Sequence, residues 1–154
     1  MLDADAISIT NGKISWLGNT DATRGNTVNC SGLTALPGLI DAHVHMELNP
    51  DNAKPPESTD ESVAPLMAER AVQMAAAGIT TARDLGGGAW FELALRNSIA
   101  AGESIGPRLV CSGQPITCPR GHCHFWGGEA DTIDEAKSVL ARQMEHDVAL
   151  CCIM

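Results

Sequence analysis

From Pro37 onwards the chain alternates short apolar runs with longer amphipathic ones, and few folds can accommodate that order. Leu39-Ile40, Ile79 to Ala82, Arg108-Leu109-Val110-Cys111 and Val148 to Met154 read as buried strands. Between them, Val63, Leu66, Met67, Ala71 and Met74 share one helical face that ends at Gly78. Ala89 to Ala101 is a second helix closed by Gly102, and a third carries Ala136, Val139, Leu140 and Met144 on its face. Ser58-x-x-Glu61 and Thr132-x-x-Glu135 have the spacing of capping boxes for the first and third helices. Strand, helix, strand repeated in this way predicts an α/β fold with a parallel sheet and right-handed crossovers.

The first 36 residues follow a different rule. Ala6 to Thr10 and Lys13 to Gly18 alternate apolar and polar residues on either side of Asn11-Gly12, the strongest two-residue hairpin signal. Thr27 to Cys30 and Leu33 to Leu36 are expected to add short strands around Ser31-Gly32, so 1–36 reads as part of a small antiparallel β subdomain and 37–154 as the α/β region. Asn49 to Ser62, rich in Pro, Asp, Glu and Ser, is expected to be a loop, either bordering a substrate site or simply solvated.

Chemistry concentrates where the first apolar strand of the α/β region ends. Side chains two apart in a strand point the same way, so His43 and His45 can both offer a ring nitrogen to one ion, or can both meet solvent. Asp41 shares their parity and could orient an imidazole. Arg83-Asp84 ends the second such strand, where it could touch substrate or form a structural ion pair. The glycines Gly86-Gly87-Gly88 that follow lack both the dinucleotide-binding spacing and a P-loop lysine, which argues against nucleotide binding.

Other partners are excluded by charge and hydropathy. Ten basic against 19 acidic residues, a net charge of −9, gives no purchase on nucleic acid or an anionic membrane. No apolar stretch of about 18 residues and no basic, apolar leader is present, so a soluble cytoplasmic protein is expected. Cys30, Cys111, Cys118, Cys123, Cys151 and Cys152 match no disulfide framework and read as reduced thiols. Cys118 and Cys123 could join His122 and His124 around zinc, but no second ligand pair follows, and a glycine-rich loop with small thiols is the simpler reading.

Pro37-Gly38-Leu39-Ile40-Asp41-Ala42-His43-Val44-His45 resembles the signature of the metal-dependent amidohydrolases. Gly78 to Gly87, and Ser112 to Thr117 followed by Gly121-His122, are similar to the branch that contains imidazolonepropionase-like enzymes and prolidases. The resemblance implies the first half of a TIM-type (β/α)8 barrel, of which a complete copy takes about 250 residues. It implies His43 and His45 as metal ligands, a divalent metal such as zinc as cofactor, and His122 as a substrate contact, with a plain surface histidine as the rival reading. It also implies a bridging carboxylated lysine at the end of the fourth strand, histidines from strands five and six and an aspartate from strand eight. The chain matches only the first pair, and Cys152 stands where the lysine is expected, either as a thiolate ligand or as an ordinary small residue.

The activity implied is hydrolysis of a C–N bond in an amide, cyclic amide or dipeptide substrate, with this chain as the N-terminal fragment of the enzyme and inactive alone. The alternative is a non-catalytic half barrel or interaction module. In either case the fourth strand leaves an open sheet edge, and self-association is expected there.

Overall fold

The structure, a computed structural model, describes residues 4–19, 25–48 and 62–154. It divides into two compact units, Met1–Leu36 and Pro37–Met154. The expected Ser58-x-x-Glu61 cap, and all but the last residue of the expected 49–62 loop, lie outside the described residues.

In the first unit, β1 (Ala6–Thr10) and β2 (Lys13–Gly18) pair antiparallel, with Ala6 opposite Gly18 and Thr10 opposite Lys13. Asn11 and Gly12 both have positive φ, 52° and 70°, which is the backbone twist a two-residue hairpin turn requires. The two further strands expected here do not form. Asn29 instead accepts hydrogen bonds from the Ser31 N–H (2.9 Å) and hydroxyl (2.6 Å), and the Leu33 N–H closes onto the Cys30 carbonyl. This local turn satisfies the backbone without a ladder, and Val28, Leu33 and Leu36 stay exposed.

The second unit is mixed α/β. Its strands β3 (Leu39–Val44), β4 (Ile79–Asp84) and β5 (Arg108–Cys111) form a parallel sheet in that order, joined by α1 (Val63–Ala76) and α2 (Phe91–Ala101). Ala82 at the middle of the central strand is fully buried, in one apolar cluster with Met67 and Ala71 of α1 and Leu93 and Leu95 of α2. Helix α2 stops at Gly102, whose φ of 77° places it in the left-handed region where glycine carries no Cβ penalty.

Helix α3 (Ile133–Glu145) starts with the expected capping box between Thr132 and Glu135. Its inward face differs from the expected one: Val139 and Gln143 are buried, whereas Leu140 and Met144 are exposed. The Gln143 amide donates to the Gln114 carbonyl, and this polar anchor sets the helix rotation. None of the described helices is long and apolar enough to cross a membrane.

Residues 148–154 do not form the regular fourth strand expected of them. Ala149 N–H donates to the Cys111 carbonyl (3.0 Å), but the next ladder bonds, Ile116 N–H to Cys152 O and Met154 N–H to Ile116 O, fall beyond the turn at Gly113. The segment is therefore split between β5 and the loop after it, leaving one parallel bridge, Ile116 to Ile153.

Candidate metal centre

Val44, Asp84 and Cys111 lie side by side across the sheet, so the three strands end in one row. The histidine pair sits at this rim. As the spacing predicts, both rings project from the same side, with their Nε2 atoms 3.3 Å apart and the rings edge to face. His45 Nδ1 lies 3.1 Å from the Gly86 carbonyl. A carbonyl can only accept, so Nδ1 carries the proton and Nε2 keeps its lone pair. Trp126, buried at the end of a short 3-10 turn (His124–Trp126), lies against the His45 ring at a centroid distance of 5.0 Å. Burial holds the His45 ring below its ordinary pKa against the pull of the Gly86 carbonyl, and the charges of His43 and His122 lower it further.

Three carboxyl groups are buried just after β3, at the end of β4 and in the first turn of α2. Glu47 accepts the Gly88 N–H at 2.6 Å, and burial raises its pKa. Asp84 accepts the Met46 N–H (3.0 Å) with one oxygen and the Gly86 N–H (2.9 Å) with the other; burial nevertheless lifts it to about 7. Glu92, in the first turn of α2, is pushed up to about 8 by burial and then by the Asp84 charge. Gly87 separates Glu47 from Glu92, and a Cβ there would meet a carboxylate oxygen of each. Cys111 closes the group, its thiol driven to about 12 by burial and by Asp84 and Glu92.

Two of the expected contacts do not form. Asp41 accepts the His43 backbone N–H (3.2 Å) and turns to neither imidazole. Arg83 and Asp84 form no ion pair, because adjacent strand residues face opposite ways: Arg83 donates to the Ala42 carbonyl at 2.7 Å while Asp84 is buried. His122 is exposed and within electrostatic reach of His45. His124, also exposed, lies 3.1 Å from the Gly121 carbonyl through its Nδ1. Of the loop thiols, Cys118 is exposed and Cys123 buried, while Cys151 and Cys152 are half-buried. All six cysteines are free. Among the described residues no group of three His, Cys, Asp or Glu side chains converges as a metal site, so no third such side chain joins the histidine pair.

The inward role of the acidic residues escaped the sequence. Glu47 shares the parity of His43 and His45, a signal that was available, whereas Glu92 has the ordinary look of a solvated first-turn acid.

The profile of the amidohydrolase family matches residues 34–153, and the chain belongs to that family. No curated protein sequence matches the chain. Among solved structures, a candidate prolidase from Bifidobacterium longum is similar at 29% identity and a TM-score of 0.57, over 76% of this chain and 26% of its own. A Xaa-Pro dipeptidase with bound methionine in its active site aligns at 24% identity and a TM-score of 0.63, over 76% of this chain and 33% of its own. The ochratoxinase of A. niger aligns at 20% identity and a TM-score of 0.61, over 77% and 33%. The chain thus spans a third or less of the length of these structures.

Proposed function

We propose that this chain is the front portion of a metal-dependent hydrolase acting on C–N bonds, amide, cyclic amide or dipeptide, in which His43 and His45 hold a divalent ion such as zinc. The observation that carries the reading is the 3.3 Å between the two Nε2 atoms. Two nitrogens each about 2.0–2.1 Å from one tetrahedral ion stand about 3.3–3.4 Å apart, so the rings already have the separation a shared zinc requires. The Gly86 carbonyl supports the same reading, since it keeps the His45 Nε2 lone pair free. When bound, the ion supplies the activated water and the polarisation of the scissile group.

The chain's own residues have narrower tasks. His43 and His45 hold the ion, Trp126 keeps water from one face of the His45 ring, and His122 meets the substrate from the neighbouring loop. The remaining ligands belong to the rest of a longer protein, in which the three parallel strands and the 148–154 segment form the first half of a TIM-type barrel. Similarity to a dipeptidase and a candidate prolidase favours a small dipeptide-like substrate. Free cysteines and the charge of −9 fit a reducing cytoplasmic setting without nucleic-acid partners.

Zinc titration followed through the histidine ring resonances tests the reading. The rings of His43 and His45 are expected to respond together and before those of His122, His124 and His146, with weak affinity because two ligands do not complete a site. A first response from the Cys118 to His124 loop, or none from the pair, would overturn it, and the latter result would favour a non-catalytic half barrel.

A further inference from the structure

We infer that Asp84 is a positioning residue for the His45 imidazole, acting through two backbone segments; this rests on the reading of His45 as a metal ligand. The ring of His45 is oriented by one carbonyl, that of Gly86. Gly86 has a φ of 147°, in a region that residues with a Cβ rarely adopt, so the carbonyl's direction needs an external restraint. Asp84 supplies it by accepting the Gly86 N–H with Oδ1. Its other oxygen, Oδ2, accepts the N–H of Met46, the residue directly after His45. One fully buried carboxylate therefore grips the chain just beyond the imidazole and the peptide that aims the imidazole.

The surrounding ladder keeps this carboxylate in register. Leu85 N–H donates to the Val44 carbonyl (2.9 Å), Ser112 N–H to the Asp84 carbonyl (3.0 Å) and Gly87 N–H to the Gly113 carbonyl (3.2 Å). Arg83 is turned away to Ala42, so Asp84 spends both oxygens on backbone donors. The chemistry explains why the residue is an aspartate. A neutral asparagine has the same shape but only one acceptor oxygen, and its NH2 group would face an N–H, leaving one of the two segments without its anchor.

Asp84→Asn is the decisive variant, read in two ways. In the metal-free protein, ring 15N shifts report which nitrogen of His45 carries the proton. The wild type is expected to hold it on Nδ1, and the folded variant to show a mixture of both tautomers. Zinc affinity in the variant is expected to fall about 10-fold or more, the lower end of the range for losing an outer-shell partner. A general loss of packing would lower the melting temperature without changing the His45 tautomer in the folded fraction. Unchanged tautomer and affinity in folded Asp84→Asn would overturn the inference. Should that variant not fold, Asp84→Ser, which keeps one small acceptor, is read in the same two ways with the same criteria. Failure of wild-type zinc to reach His45 would instead sink the metal reading, and the metal-free tautomer measurement would still judge Asp84.

Discussion

Glu92 offers a test of the buried carboxyl cluster that needs no metal and no substrate. Its side chain is fully buried, and neither carboxylate oxygen has a partner among the described residues. Asp84, Glu47 and Cys111 surround it with acidic groups, and Arg96 on the same helix is the opposing charge among the described residues. In the unfolded chain the carboxyl ionises near 4.5, whereas in the fold it keeps its proton until about 8. Between these values the native state binds the extra proton, so this contribution to stability is complete below 4.5 and is lost as the pH rises through 8. Asp84, lifted from 3.8 to about 7, acts with the same sign but is spent earlier. His45 has the opposite sign, since its lowered pKa removes stability as the pH falls below its ordinary 6.5. The informative window therefore runs from about pH 6.5 to 8.5, above the histidine and below most thiols.

Each tenfold change in proton concentration is worth about 1.4 kcal/mol per group that differs between the states. Over that window Glu92 contributes roughly 2 kcal/mol and Asp84 somewhat under 1 kcal/mol of lost stability. Urea unfolding at several pH values is expected to show the wild type losing roughly 2–3 kcal/mol, a large share of a typical domain's total. Glu92→Gln, close in shape but unable to ionise, is expected to lose under about 1 kcal/mol over the same range. A flat wild-type profile, or an equal slope in the variant, would refute the claim that Glu92 is held protonated by burial.

Two further outcomes follow from packing. Gly87→Ala is expected to destabilise the fold by about 1–3 kcal/mol in thermal unfolding, because its Cβ would enter the space held by Glu47 and by a Glu92 oxygen 2.9 Å away; wild-type stability in that variant would mean the two carboxyls move apart freely. The chain alone is expected to self-associate through sheet edges that have no further strand among the described residues, where Leu39, Ile40 and Ile153 are exposed, and a monodisperse monomer by light scattering at on the order of tens of micromolar, with cooperative unfolding, would rule this out.

How much of this was legible in the chain depended on the range of the interactions involved. Asn11-Gly12 determined its hairpin, Thr132 and Glu135 their capping box, and the two-residue spacing the shared side of His43 and His45, because each of these follows from backbone geometry within a few residues. The order of strands and helices from Leu39 to Glu145 was equally local in origin. The strands expected at 27–36 failed because a turn at Asn29 satisfied the same backbone groups, and a strand requires a partner that no local pattern names. The rotation of α3 turned on a bond from Gln143 to Gln114, which lies 29 residues away. Asp84 is the clearest division. Its sequence position at the end of a strand marked it as notable, but its bonds to Met46, 38 residues earlier, and to Gly86, and the burial that makes a carboxylate there costly to ionise, exist only once two parallel strands end side by side.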